Sequence, residues 1–219
     1  FESDVPFSNV FGPNDATQLT TPTGFQLYFN KSNDQPLTAY LDNVQAVPVG
    51  AAAHWAKNDS ASNWSDPTSW WGVVPDGAGD IAVFASAAFS SPELVTVDLP
   101  RTVGQIDFNF SNAYTLAGAA AITLDTTGGA DAAVNVLSGS HAITAPLVLN
   151  QNVAVRVAPP GATLTLGDLT ATGHNLTKTG LGTLVINRFR GNALSVTEGL
   201  VRLTPAADPS LPAALENVS

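Results

Sequence analysis

The chain has 219 residues, of which 44% are hydrophobic and 12% are charged, and its formal net charge is −10. Its 8 Lys and Arg residues are scattered rather than clustered, so the sequence offers no basic patch for a phosphate backbone and we expect no nucleic-acid partner. The absence of Cys excludes disulfides and thiolate metal sites, and no apolar run approaches the ~20 residues that a membrane-spanning helix needs.

Residues 1–49 predict a pair of β-strands. The segments GFQLYFN (Gly24–Asn30) and LTAYLDNVQAV (Leu37–Val47) have strand composition and are joined by the polar turn KSNDQP. The second segment is similar to the closing strand of jelly-roll carbohydrate-binding domains. Two strands alone are marginally stable in water, so we expect the pair to pack on the rest of the chain, on an upstream domain or on a neighbouring molecule. In the last case the apolar N-terminus supplies a subunit contact, whose residues are Phe1, Val5, Phe7, Val10 and Phe11.

Residues 50–79 contain all four tryptophans, Trp55, Trp64, Trp70 and Trp71. Exposed aromatic clusters bind sugars by stacking, so Trp64, Trp70 and Trp71, with Tyr40 upstream, are candidate ligand-binding residues. Bulky rings equally suit the first coil of a stacked fold, whose apolar end needs a cap. Because a regular strand pattern begins directly after them at DIAVF, we favour the cap.

The turn PDGAGD (Pro75–Asp80) places Asp76 and Asp80 around two glycines, with Asp66 upstream. Calcium takes six to eight oxygen ligands, and no Glu follows this loop at a suitable spacing. Pro-Asp-Gly is in the first place a turn signal. We therefore predict a turn here, without a metal or another cofactor.

Residues 80–205 contain a series of segments, each of about four to six residues, that alternate apolar with polar side chains. Gly, Pro, Asn or Ser bounds each segment, as expected of strands with one buried face. Similar segments return every 16 to 27 residues or so, which is within the range of solenoid repeats. We predict an all-β fold in which this region is a β-solenoid, followed by a C-terminal tail at 206–219. A β-sandwich is the alternative, although its strands would resemble one another less.

The segment LTKTGLGTLVINRFRGNALSVTEGLVRL (Leu176–Leu203) resembles the autotransporter-associated β-strand repeat. The family pattern is Leu-x-Lys-x-Gly-x-Gly-Thr-Leu-x-Leu, a variable turn, and Gly-x-Leu-x-Leu. The matching residues are Leu176, Lys178, Gly180, Gly182, Thr183, Leu184, Ile186, Gly199, Leu200 and Leu203. The middle, NRFRGNALSVTE, departs from the aromatic and small residues usual in the family. The resemblance implies a right-handed parallel β-helix that is exported from a bacterium, and it implies no active site.

Parallel β-helices also occur in polysaccharide-degrading enzymes, whose sites need paired carboxylates or an acid beside a Lys or Arg. The acids of the strand region are dispersed along the sequence. They are Asp98, Asp107, Asp125, Asp131 and Asp168. The histidines, His54, His141 and His174, lie far apart and show no zinc-binding spacing. We therefore predict that the protein is not an enzyme.

Six Asn-x-Ser/Thr motifs are candidate glycosylation sites, although a chain rich in these residues also forms such motifs by chance. They lie at Asn30, Asn58, Asn63, Asn109, Asn175 and Asn217.

These patterns together predict a non-catalytic protein that is extracellular or lies on a bacterial surface. We expect a stalk, fibre or matrix subunit that self-assembles, into a homo-oligomer or filament, through its N-terminal strands and its solenoid ends. The alternative is a carbohydrate-binding or adhesin module in which the Trp cluster binds a polysaccharide. Because the chain starts at Phe1 rather than Met, we interpret it as a processed mature chain or a fragment.

Overall fold

A computed structural model describes residues 52–57, 61–85 and 92–204 of the chain. These ranges hold most of the predicted cap and of the predicted strand region. The strand pair expected at 1–49, with its apolar contact residues, and the tail at 206–219 lie outside the described residues.

The described residues form sixteen β-strands and two short 3-10 turns, and no α-helix lies among them. The strands are β1 (Ala52–Trp55), β2 (Ala61–Asn63), β3 (Trp70–Trp71), β4 (Ile81–Phe84), β5 (Glu93–Thr96), β6 (Arg101–Val103), β7 (Gln105–Asn109), β8 (Tyr114–Ala117), β9 (Ile122–Leu124), β10 (Ala132–Ser138), β11 (His141–Ile143), β12 (Leu147–Leu149), β13 (Val153–Val157), β14 (Thr163–Thr179), β15 (Thr183–Val196) and β16 (Leu200–Leu203). The turns are Pro67–Ser69 and Thr127–Gly129.

The strands stack in three columns, which are the three faces of a parallel β-solenoid of about five turns. Face 1 contains β1, β4, β7, β10 and β13. Face 2 contains β2, β5, β8 and β11, and face 3 contains β6, β9 and β12. The long strand β14 continues all three faces, β15 follows it along its length, and β16 adds to face 2. The predicted β-solenoid is confirmed, and the β-sandwich alternative is excluded because neighbouring strands are parallel and belong to successive coils.

Equivalent residues of successive coils lie side by side. On face 2, Val95 pairs with Leu116, Leu116 with Ile143, Ile143 with Leu166, and Leu166 with Ile186. All five side chains are buried. The shortest of these steps has 20 residues, from Leu166 to Ile186, and the longest has 27, from Leu116 to Ile143.

The alternating sequence fixes which side chains enter the core. Side chains of a strand point alternately to its two sides, so a residue next to a core position faces outward. On face 2 the outward neighbours Thr115, Ala142 and Thr165 stack in register, and none of them is buried. Alternation of apolar with small or polar residues therefore produces one continuous core rather than two apolar surfaces.

The core changes in character along the solenoid axis. At its N-terminal end it is aromatic: the rings of Phe84 and Phe108 have centroids 5.3 Å apart, and those of Phe108 and His141 lie 4.6 Å apart with planes inclined by only 10°. In β12 and β13 the core residues are aliphatic, as in Leu147 and Val155. The aromatic part of the core is thus continuous with the tryptophans that precede it.

Candidate functional site

The N-terminal end of the solenoid is closed by the chain that follows β2. There β3 pairs antiparallel with β1, so that Trp55 lies opposite Trp70 and His54 lies opposite Trp71. The other pairings of face 1 are parallel, and β3 is the outermost strand of that face. An antiparallel strand in this position covers the edge of β1 and stops the parallel series.

Three tryptophans form the cap at this end of the solenoid, and one of them, Trp70, belongs to β3 itself. Trp55, Trp64 and Trp70 are each at most 4% exposed, and the Trp70 ring centroid lies 5.1 Å from those of the other two. Each indole N–H donates to a protein acceptor: Trp64 to the carbonyl of Pro75 at 3.1 Å, Trp70 to the carbonyl of Trp64 at 2.8 Å, and Trp55 to the carboxylate of Glu93 at 3.3 Å. Buried rings with satisfied N–H groups are structural, so this is the Trp-rich cap that the sequence predicts.

Trp71 lies at the surface, 66% exposed, because it follows Trp70 in β3 and points to the opposite side. Its cross-strand neighbour is the exposed His54, which sequence reasoning did not connect with it. Of the other candidate ligand-binding residues, Trp64 and Trp70 are buried, and Tyr40 lies outside the described residues. Within the described ranges, therefore, the cluster presents a single ring to solvent rather than a platform of several.

The turn PDGAGD closes a second edge at the same end of the solenoid. The Asp76 carboxylate accepts the backbone N–H of Thr102 at 3.0 Å and pairs with the guanidinium of Arg101 at 2.7 Å. The Asp80 carboxylate accepts the N–H of Asp76 at 3.1 Å. Because Arg101 and Thr102 belong to the first strand of face 3, both Asp76 oxygens serve to bind that strand. No group of three His, Cys, Asp or Glu side chains that could hold a metal ion occurs in the described part of the chain.

Asp66, the acid upstream of this turn in the sequence, also has a local structural role. It accepts the N–H and the hydroxyl of Thr68, each at 2.8 Å, and so caps the 3-10 turn Pro67–Ser69. These hydrogen bonds lower the pKa of the Asp66 carboxyl below its ordinary value.

His141 is a buried polar residue whose role the sequence did not reveal. Its Nδ1 accepts the N–H of Tyr114 at 3.1 Å, and its Nε2 lies 2.7 Å from the carbonyl of Ser138. A nitrogen that accepts cannot carry a proton, so the ring is neutral and Nε2–H donates to Ser138. Burial lowers the pKa of His141 below its ordinary value, although nearby carbonyls oppose the shift. The ring thus joins two coils of the solenoid.

Lys178 occupies an inward position of face 1, in register with Val155 of the preceding coil. Its side chain is fully buried, and its ammonium donates to the carbonyls of Thr179 and Gly180, each at 2.7 Å, and of Glu198 at 3.2 Å. Burial lowers the pKa of Lys178, and the charge of Glu198 opposes this shift. Lys178, which matches the Lys of the family pattern, therefore links the turns of two successive coils through hydrogen bonds.

Gly180, two residues after Lys178, also matches the family pattern, and its place in this fold requires a glycine. Its φ is +77°, and a Cβ at this position would lie 2.4 Å from the carbonyl oxygen of Val157. A side chain there would meet backbone that cannot move away without disturbing the preceding coil. The local pattern is thus dictated by coil stacking.

An acid with two arginines is a group that only the fold assembles. Asp168 in β14 pairs with Arg188 and Arg190 in β15, and both N–O distances are 3.1 Å. β-helix enzymes combine acids with nearby basic groups, but here each oxygen of Asp168 is occupied by one guanidinium. The group joins neighbouring coils at the surface.

Three of the candidate glycosylation residues lie in the described part of the chain. Asn63 at the end of β2 and Asn109 at the end of β7 are exposed. Asn175 in β14 is half-buried, and its carbonyl accepts the amide of Asn192 at 2.8 Å. Asn30, Asn58 and Asn217 lie outside the described residues.

The C-terminal end of the solenoid differs from the capped N-terminal end. Among the described residues β16 pairs with β15 alone. The inward residues Val196 and Leu203 are 43% and 37% exposed, whereas their partners one coil back, Lys178 and Ile186, are buried. The described chain therefore ends in an open strand edge beside an uncovered apolar layer.

Comparison of the chain with protein-family models, with curated proteins and with solved structures finds no significant match. No helix within the described ranges is long and apolar enough to cross a membrane. The geometry of the described residues defines the class as a parallel β-solenoid, capped at its N-terminal end and with β16 at the edge of the described sheet. The resemblance to the autotransporter-associated repeat rests on Leu176–Leu203 alone.

Proposed function

We propose that the protein is a non-catalytic structural subunit, a stalk, fibre or matrix component of a bacterial surface, that associates with further copies of itself. The observation that carries this proposal is the difference between its two ends. Within residues 52–204 as described, one end is closed by an antiparallel strand and three buried tryptophans, and the other leaves a strand edge and a core layer open. An open strand edge is a template for pairing with another chain. The surface location is supported by the family resemblance of Leu176–Leu203.

The polar groups of the core support a structural role. His141 and Lys178, two of its buried titratable residues, bind backbone atoms of neighbouring turns. Side chains that make such hydrogen bonds stiffen the stack and are not available to bind a substrate. A stiff stack of coils is what a stalk or fibre requires.

The charge distribution favours association of unlike ends. Residues 150–204 contain five basic and two acidic side chains, whereas residues 1–149 contain three basic and fourteen acidic ones. Lys178, one of the five, is buried, and the other four still outnumber the two acids, so the last coils are basic and the earlier part of the chain is acidic. Complementary charge of this kind steers association, and salt screens it.

Sedimentation velocity and electron microscopy of the purified chain test the proposal. We expect oligomers or filaments that grow with concentration and weaken with salt, and that are reduced by deletion of residues 1–49. The variant Leu203→Lys places a charge in the open apolar layer and is expected to reduce association, whereas Thr165→Lys, on an outward position in mid-solenoid, is its matched control. A chain that stays monomeric at every concentration, with or without residues 1–49, contradicts the proposal.

The exposed ring of Trp71 favours a second candidate function, the binding of a polysaccharide. Fluorescence titration with a panel of polysaccharides tests it, with Trp71→Ala as the variant and Leu94→Ala, a partly exposed residue on face 2, as the control. Saturable quenching that only Trp71→Ala abolishes supports binding. If no polysaccharide quenches the fluorescence, the binding function is contradicted and only the structural role remains.

A further inference from the structure

The outward side of face 1 carries a column of residues that starts at Trp71 and follows the solenoid axis. Each member pairs in register with the next, from β3 through β1, β4, β7 and β10 to β13. Steps of about 4.8 Å between neighbouring strands give the column a length of about 24 Å. We call it the outer column, and its members are Trp71, His54, Val83, Asp107, Asn135 and Arg156.

The two ends of the outer column are exposed and differ in chemistry. The Trp71 ring is 66% exposed, and an exposed indole offers a flat apolar surface on which a sugar ring can stack. Arg156 is exposed as well, and its guanidinium forms no ion pair or hydrogen bond within the described part of the chain. Its N–H donors are therefore available to a ligand.

A hydrogen-bonded group of three side chains occupies the middle of the outer column. The Asp107 carboxylate accepts the Gln105 amide at 2.8 and 3.0 Å and the Asn135 amide at 2.8 Å. Gln105 lies beside the column, two residues before Asp107 on the same side of β7. Because each amide nitrogen is directed at Asp107, each amide oxygen is directed elsewhere and can accept a hydroxyl proton. The middle of the column thus offers two neutral acceptors in fixed positions.

The surroundings of the outer column suit a narrow ligand. Ala133 and Ala154 lie two residues before Asn135 and Arg156, on the same side of their strands. A methyl group projects less than either of these longer side chains, so both remain accessible from this side. An extended chain that lies along the solenoid axis can therefore contact the whole column.

Charge favours a neutral ligand. The outer column contains one Asp and one Arg, whereas the whole chain has a net charge of −10. A field of this sign repels polyanions, which disfavours an acidic polysaccharide or a nucleic acid. A stacking ring, two amide oxygens and a guanidinium instead match a chain of hydroxyl-bearing rings, because hydroxyl groups both donate and accept hydrogen bonds.

We propose that the outer column binds a neutral polysaccharide whose extended chain lies along the solenoid axis. Trp71 stacks on one sugar ring, and Arg156 donates to hydroxyl groups of a sugar further along the chain. Between them, the amide oxygens of Gln105 and Asn135 accept hydroxyl protons. This inference rests on the second candidate function and extends it, because that function requires contact with Trp71 alone.

Calorimetric titration with neutral oligosaccharides of increasing length tests the proposal. The probes are cello-oligosaccharides and manno-oligosaccharides, from the disaccharide to the octasaccharide. We expect the affinity to rise with length until a probe reaches from Trp71 to Arg156, and then to level off. Trp71→Ala should weaken the binding of every probe by about tenfold or more, because the loss of one good contact corresponds to about one factor of ten in Kd.

Arg156→Gln removes donors that only a long probe reaches. It should weaken the binding of the octasaccharide by about tenfold, as expected for a lost hydrogen bond to a charged group, and leave the affinity for the disaccharide unchanged. Arg202→Gln, at an exposed arginine of β16, is the matched control and is expected to change neither affinity. All three substituted side chains are exposed, and thermal melts that match that of the unchanged chain verify that each variant is folded.

Three results overturn the proposal. If Trp71→Ala abolishes binding and Arg156→Gln alters the affinity of no probe, the site is confined to one ring, and the second candidate function stands without the outer column. If a polyuronate binds more tightly than the neutral octasaccharide, the ligand class is wrong. If no polysaccharide binds, the outer column and the second candidate function fail together, whereas the self-association measured by sedimentation is unaffected.

Discussion

The adjacent residues Trp70 and Trp71 provide the sharpest test of the cap. Trp70 is 4% exposed, and its ring packs on Trp55, Trp64 and Phe84 with centroid distances of 5.1, 5.1 and 5.6 Å. Replacement by Ala removes these contacts and leaves the Trp64 carbonyl without its indole donor. Loss of a buried Trp typically costs about 3–5 kcal/mol of the free energy of unfolding. Trp71→Ala, at a site that is 66% exposed, is expected to cost at most about 0.5 kcal/mol.

Urea unfolding followed by circular dichroism measures this difference. With a denaturant dependence of about 2–3 kcal/mol per molar, Trp70→Ala should lower the midpoint by about 1–2.5 M, and Trp71→Ala by no more than about 0.25 M. Trp70→Phe keeps a ring but loses the N–H donor, so its midpoint should lie between those of Trp70→Ala and the unchanged chain. If Trp71→Ala were as destabilising as Trp70→Ala, or if Trp70→Ala were neutral, the buried cap would be refuted.

Three further variants test the polar and backbone features of the fold. The pKa of His141 is lowered in the folded chain, so below about pH 6.5 the unfolded chain binds a proton that the folded chain does not. The stability contributed by the neutral ring should therefore be lost as the pH falls through this range. The variant His141→Phe should lose less stability between pH 7.5 and 5 in urea unfolding. Asp76→Asn should lower the free energy of unfolding by about 1–3 kcal/mol in thermal melts, because it leaves a buried guanidinium without its counter-charge. Gly180→Ala should cost more than about 2 kcal/mol, since a positive φ and a backbone clash act together.

Matched controls separate these causes. Asp131→Asn removes an exposed carboxylate and is expected to stay within about 0.5 kcal/mol of the unchanged chain. Gly128 has a φ of +75° but nothing within 4 Å of its Cβ position, so Gly128→Ala isolates the cost of the backbone conformation, about 1 kcal/mol. Equal losses for Gly180→Ala and Gly128→Ala would show that contact between coils does not select the glycine. Equal pH dependence with and without His141 would show that another group titrates.

Much of the fold was predictable because it depends on local patterns. The alternation in segments such as VAVRV and TLTLGDL requires strands with one buried face, and their return every 16 to 27 residues or so favours stacked coils over a sandwich. The tryptophans cluster at the N-terminal end of the described stack, as their place before DIAVF predicted, although the parallel strands β1 and β2 already lie among them. The turn at Pro75–Asp80 followed from Pro-Asp-Gly.

The candidate site was less predictable because it depends on which side of the strand each residue takes. Trp70 and Trp71 are chemically identical, and the sequence proposed both as ligand-binding residues. Pairing of β3 with β1 turns the first inward and the second outward. His54 became relevant only through the same pairing, which places it opposite Trp71.

The sequence by itself determined the kind of structure: strand segments, turn positions, a repeated apolar pattern and a chain without cysteine. Only the tertiary structure decided which distant residues meet, such as Asp168 with Arg188, or Lys178 with the turn at Glu198. The reason is that alternation depends on neighbours in the chain, whereas register depends on the length of each coil. That length is set by turns of unequal size, and every contact between coils follows from it.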